Sequence, residues 1–272
     1  MPCCRCSARR FRVRSGTMTA IDPDCGDGPV WSDGVFLVDK PDGLTSFAIV
    51  RQIRRLLGIK KVGHAGTLDP FATGLLIVCA GRTATRHIEL LMGGRKTYLA
   101  RLQLGVETTT QDPEGTVTQT RPVPELDAAS LAACLQQHAG PQLQAPPPFS
   151  AAKQKGKPLY FYARQGVLIE KAAKPIEIHV LECLGYDPVT CQLTLAIECS
   201  RGTYIRVLAA DIGRSLGCGA HLVGLRRTRS GVFSVDDSLP GSALFAENGL
   251  QLLHDSRLGI DEVLQAAGQP LV

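Results

Sequence analysis

The sequence has no apolar run approaching the roughly 20 residues that a bilayer-spanning helix requires, so it offers no transmembrane segment. Its longest apolar stretch, residues 74–80, reads as a buried strand. A secretory hydrophobic region is missing too, and there is no internal repeat or low-complexity block. Metal-ligand spacing is nearly absent. Cys3 and Cys6 stand as half a zinc site would, but no second pair with such spacing follows, and no metal is expected. Ten cysteines are present. Yet Cys79, Cys183 and Cys199 lie in strand-like apolar segments, where a free thiol behaves as a small hydrophobe. These absences point to a reducing, cytoplasmic setting without disulfides.

What is present is the composition of an ordinary globular chain of 272 residues, long enough to bury a proper core. The formal net charge is +5, and its distribution says more than its size. Arg51, Arg54, Arg55, Lys60 and Lys61 form one basic cluster, Lys153, Lys155 and Lys157 a second, and Arg226, Arg227 and Arg229 a third. Separated basic patches suit a long polyanion better than a small metabolite, although a solvated surface has the same look. Residues 1–33, rich in Cys and Arg, read as a disordered extension, with Met18 an alternative start.

From Gly34 the patterning becomes dense. Residues 35–38 form a short strand that ends at Lys40 and Pro41. Ser46 or Thr45 can cap a helix whose apolar face is Val50, Ile53 and Leu57, and Gly58 stops it. Residues 63–74 read as a loop, followed by the strand through Cys79 and a helix near 83–91. Residues 97–105 alternate, so Tyr98, Ala100, Leu102 and Leu104 share one face and Tyr98 points coreward. A polar hairpin or excursion (108–120), a helix (128–138), a basic loop (153–157), strands near 176–184 and 193–199 and a helix near 203–216 come next. From about Leu239 the pattern weakens into a tail. Strands and helices mix without regular βαβ alternation, which favours an α+β class.

Two segments carry chemical interest. Residues 63–74 hold three glycines and a proline, which specify an unusual backbone. Asp69 lies within them, ahead of Pro70, with extended geometry favoured; taken alone, such an Asp is a turn starter. The second segment is residues 200–206, where Gly202 turns the chain and Arg206 falls in the first turn of a helix. A cation there opposes the helix dipole. A buried carboxylate elsewhere would compensate it, as would a plain water shell.

The wording of these segments resembles the TruB family of pseudouridine synthases. Gly-His-Ala-Gly-Thr-Leu-Asp-Pro-Phe-Ala-Thr-Gly-Leu-Leu from Gly63 is similar to its catalytic loop. Residues 34–46, with Lys40 and Pro41, resemble its opening strand and turn, and residues 96–98 its tyrosine strand. Residues 149–166, 200–206 and 217–227 complete the set in the family's order, covering about 34–235. The resemblance implies a pseudouridine synthase fold, with a mixed, mainly antiparallel central sheet flanked by helices and loops. It implies that Asp69 is the catalytic carboxylate, that Arg206 keeps it ionised and oriented, and that Tyr98 stacks on the target uracil and is a candidate for handling the C5 proton. It further implies that His64 supports the flipped nucleotide, that Lys40 and Pro41 buttress the loop, and that Tyr204 and Leu225 line the pocket. Lys153, Lys157 and Arg164, in the basic segment 149–166, would grip RNA backbone.

The implied activity is isomerisation of the T-loop uridine at position 55 of tRNA, without cofactor or metal, by a protein with no obligatory partner and expected to be a monomer. The expected catalytic domain spans 34–238, with an RNA-binding insert at about 106–170. Bacterial members carry a small C-terminal RNA-binding PUA domain; residues 239–272 are too few for a complete one. Two other readings remain: a tRNA-binding or tRNA-folding module without turnover, and the catalytic subunit of a guide-RNA pseudouridylation particle.

Overall fold

The computed structural model describes residues 33–268. The expectations for the N-terminal extension up to residue 32, including Cys3 and Cys6 and the start at Met18, lie outside the described residues. In chain order the strands are β1 (Gly34–Lys40), β2 (Val62–Ala65), β3 (Thr73–Ala80), β4 (Lys96–Leu104), β5 (Val106–Thr108), β6 (Val117–Thr120), β7 (Gly140–Gln144), β8 (Lys153–Gln154), β9 (Lys157–Pro158), β10 (Lys174–Asp187), β11 (Gln192–Cys199), β12 (Ala220–Ser230), β13 (Phe233–Ser234) and β14 (Leu239–Pro240). The helices are α1 (Ser46–Leu57), α2 (Arg82–Thr85), α3 (Ile88–Leu91), α4 (Ala128–Gln137), α5 (Leu159–Ala163), α6 (Ile205–Ser215), α7 (Gly249–Asp255) and α8 (Ile260–Ala266).

The main sheet runs β14-β1-β3-β12-β4-β11-β10-β7, with β2 paired to β3 and β13 to β12. Among the described residues its pairings are antiparallel except β1 with β14 and β3 with β12. The architecture is therefore the mixed, mainly antiparallel α+β sheet expected. The parallel seam at the centre brings Arg227 opposite Gly74. Only a residue without a side chain fits there. Gly74 has φ +102, and an added Cβ would stand 2.3 Å from the Arg227 carbonyl oxygen.

Period-two patterning explains β4, where Lys96, Tyr98, Ala100, Leu102 and Leu104 are all buried. Helix α6 covers this part of the sheet and closes a core that includes Leu68, Ala72, Tyr98, Leu225, Ile205 and Leu208. A second core lies under α1, where Ile49, Val50 and Ile53 meet Phe36, Val38 and Leu76. Of the two capping candidates, Thr45 is the N-cap, its side chain accepting from the Ala48 amide, and Gly58 ends the helix in the left-handed region.

Several expectations are corrected. Residues 63–65 are not loop; they belong to β2, which zips antiparallel onto β3 and so starts the glycine-rich segment from a rigid edge. The helix near 83–91 is two short helices, α2 and α3, separated at Arg86 and His87. Cys183 is exposed rather than buried, while Cys79 and Cys199 are buried and burial pushes their thiols up to about 12 and about 11. The weakly patterned stretch after Leu239 is folded: β14 extends the sheet, and Leu244, Leu253 and Val263 enter the cores beside β1. Its helices are too short for periodicity to reveal them. No helix among the described residues is long and apolar enough to cross a membrane.

Candidate active site

The segment 66–72 leaves β2, crosses the end of the sheet and enters β3. Its shape is held by neighbours rather than by itself. Ser46, at the start of α1, donates its hydroxyl to the Leu68 carbonyl at 3.0 Å and accepts the Leu68 amide at 2.9 Å. Lys40, at the end of β1, is fully buried. Its ammonium donates to the carbonyls of Pro41 (2.8 Å), Leu44 (2.6 Å) and Pro70 (2.9 Å). Burial pulls its pKa down to about 8. Lys40 thus braces the turn from below, with its nitrogen spent on backbone. Leu68 and Ala72 are anchored in the core on either side of Asp69.

Asp69 itself is left two-thirds buried, its side chain 34% exposed. Arg206 Nε stands 2.9 Å from its Oδ2. The Arg206 guanidinium is almost wholly enclosed and spends its other nitrogens on Asp112 Oδ2 at 3.3 Å and on the carbonyls of Thr110 (2.8 Å) and Phe149 (2.7 Å). The cation in the first turn of α6 therefore has two carboxylate partners, which offset its unfavourable place in the helix field. Burial raises the Asp69 pKa, and the Arg206 charge opposes that rise. Asp112, buried and bonded to Thr110 and to the Glu114 amide, was not picked out from the sequence. It lies in a polar turn that reads as solvent-facing, and its pairing with α6 is a long-range contact.

Tyr98 and Leu225 come from neighbouring strands, β4 and β12, and share the apolar core that also holds Leu68 and Ala72. Tyr98 is buried; burial raises its pKa, and the Arg227 charge draws it down. Tyr204 sits at the N-cap of α6, where Gln144 grips both its backbone amide (2.7 Å) and its carbonyl (3.1 Å). His64 lies on β2, and burial together with Arg227 lowers its pKa. Its Nδ1 is buried without a partner.

Lys153, Lys157 and Arg164 are exposed on the β8–β9 hairpin and just after α5. They make no bond to Asp69, but Phe149 at the base of this segment is tied to Arg206. Lys157 lies over the Phe161 ring (4.4 Å to its centre) and Arg164 over that of Tyr160 (5.5 Å). Both rings are exposed. These two aromatics interleaved with cations form a surface suited to unstacked bases and phosphates. The third basic cluster is not such a surface. Arg226 pairs with Asp39 through two bonds of 3.0 and 2.7 Å, Arg227 is buried, and only Arg229 is exposed. Strand alternation on β12 turns adjacent arginines to opposite faces. Among the described residues no cluster of three or more His, Cys, Asp or Glu could hold a metal ion.

An ionised carboxylate with an arginine partner, beside an apolar and aromatic floor, can attack or deprotonate a sugar while a planar base stacks nearby. The model of the TruB family pseudouridylate synthase N-terminal domain matches residues 54–205, and that of the tRNA pseudouridylate synthase B C-terminal domain matches residues 206–248. The chain is 51% identical to the tRNA pseudouridine synthase B of Desulfotalea psychrophila, over 85% of this chain and 95% of that one. It is 46% identical to the protein of that name from Haemophilus influenzae, over 82% and 69%. In three dimensions it resembles a chain of a Cbf5–Nop10–Gar1 complex, with a TM-score of 0.63 and 26% identity, over 86% of this chain and 62% of that one. The chain belongs to the TruB family of pseudouridylate synthases.

Proposed function

We propose that this protein isomerises uridine to pseudouridine at position 55, in the T-loop of tRNA, with Asp69 as the catalytic carboxylate. The observation that carries the reading is the Asp69 carboxylate held 2.9 Å from Arg206, on a turn whose neighbouring Leu68 packs in one core with Tyr98 and Leu225. The target base is stacked within the RNA loop, so it has to be extruded before any side chain reaches its sugar. Tyr98 offers a ring on which the base stacks, Tyr204 and Leu225 close the pocket, and neutral His64 supports the flipped nucleotide. Asp69 either attacks C1′ or removes a sugar proton, and the C1′–N1 bond breaks. The uracil turns and rejoins through C5; the C5 proton is lost and N1 gains one, with Tyr98 a candidate for the transfer. Bonds and electrons balance without oxidation, so the reaction calls for no cofactor or metal.

Residues 34–238 form the catalytic domain in this reading, with about 106–170 as an RNA-binding insert. Lys153, Lys157 and Arg164 hold phosphates there. The protein acts in the cytoplasm as a monomer. The likeness to Cbf5 chains raises the competing reading of a subunit that needs a guide RNA. Tritium release from C5-labelled uridine in a T-arm transcript, with no guide RNA or other protein, distinguishes the two. Turnover by the wild-type chain is expected, and none by Asp69→Asn. Undiminished release by Asp69→Asn removes that residue from the mechanism, and tight tRNA binding without release points to a binding module.

A further inference from the structure

We propose that Arg227 is a positioning residue for the reaction, whose buried guanidinium ties together the two ends of the segment carrying Asp69. The inference rests on Asp69 acting in the reaction. Arg227 is 2% exposed and is among the largest fully buried side chains of the molecule. Its Nε donates to the Leu75 carbonyl at 2.7 Å, and its Nη2 to the Gly66 carbonyl at 3.0 Å. Gly66 lies before Asp69 and Leu75 after it, so one planar group bridges the neck of the turn. Both acceptors are backbone atoms, which means that the bonds hold the chain path itself.

The surroundings leave the group little freedom. Arg227 is in register with Gly74, whose missing Cβ admits the Arg227 backbone. Gly66, at φ +98, would bring a Cβ to 3.4 Å from Nη1. Between the two ends of this neck, Ser46 holds Leu68, Lys40 holds Pro70 and Arg206 holds the carboxylate. The segment is therefore gripped at five successive places, and Arg227 supplies the first and the last.

Stability alone does not account for this residue. A buried guanidinium is expensive to desolvate, and no described carboxylate forms an ion pair with Arg227. A well-packed apolar side chain would fill the space at lower cost, but it could not span two carbonyls. The planar fork can, and lysine cannot reproduce it. The same cation lies behind the floor of the site, where it helps to keep His64 neutral.

The test uses the full chain with Arg227→Lys, Arg227→Met and Asp69→Asn. Single-turnover rates on a T-arm transcript, transcript dissociation constants and thermal melts are compared, with rates expressed per folded molecule well below each melting point. Arg227→Lys keeps the charge and one donor, and it decides the matter if Arg227→Met does not fold. The expected result is a rate lowered by about 10²-fold, the order caused by misplacing a reacting group by about 1 Å, with transcript affinity unchanged. A lower melting temperature with a wild-type rate per folded molecule makes Arg227 merely structural and overturns the inference. An inactive Asp69→Asn beside a fully active Arg227→Lys overturns it alone, whereas an active Asp69→Asn overturns the assignment of Asp69 as well.

Discussion

Asp69 is pulled in opposite directions. Burial raises its pKa above the usual carboxylate value, the nearby Asp112 charge adds to that, and the Arg206 charge and hydrogen bond oppose both. In the proposed reaction only the ionised form can act as nucleophile or base. Activity therefore falls as pH drops through the raised pKa, and this acid limb lies above the ordinary position of an Asp. Removing the cation takes away the largest influence favouring ionisation, so in Arg206→Met the limb moves to higher pH and the neutral-pH rate drops. Single-turnover rates across the acid range check this; a limb that stays in place means that Arg206 does not tune Asp69. Neighbouring side chains can thus decide whether a carboxyl is reactive, and none of them adjoins it in sequence.

At the scale of elements, the start of α1 performs two separable tasks. Thr45 caps the helix, whereas Ser46, one residue on, is buried and bonded both ways to Leu68. Thr45→Ala is expected to cost about 1 kcal/mol of stability and to leave the rate per folded molecule unchanged. Ser46→Ala strips partners from two buried backbone groups, about 1–3 kcal/mol each, and frees the residue preceding Asp69. Its rate should fall as well. Denaturant unfolding with parallel rate measurements separates the two; equal rates in both variants would show that the Leu68 anchor is dispensable. The sequence offered Thr45 and Ser46 as rival caps. It did not show that the one left over anchors the turn carrying Asp69, because the Leu68 backbone reaches Ser46 only through folding.

The whole molecule depends on its last described segment more than the fading pattern there suggests. β14 covers the edge of β1, Leu258 pairs with Val35, and Gln52 donates to the Leu244 carbonyl at 2.5 Å. Leu244, Leu253 and Val263 are buried in the two cores beside β1. Each such side chain is worth about 1.5–3 kcal/mol, against a total stability of about 5–15 kcal/mol for a typical domain. A chain ending at Ser238 should therefore be poorly soluble and melt far below the full chain. Melting of the shortened protein at the full-length temperature would mean that this segment only decorates the fold.

The order of segments, the alternation of β4, the stop at Gly58 and the position of Arg206 at the head of a helix could all be read from local spacing, because short-range sterics and periodicity determine them. Asp69 and its glycine-rich setting also stood out by wording. What local spacing does not contain is which distant groups meet. Only the placement of β12 between β3 and β4 buries Arg227 beneath the turn, and only the docking of α6 gives Arg206 its second carboxylate, Asp112. Two charged residues that looked like surface, Asp112 and Arg227, became internal supports for that reason. A charge is forced inward when strand register supplies backbone or ionic partners, and register is a property of the assembled sheet.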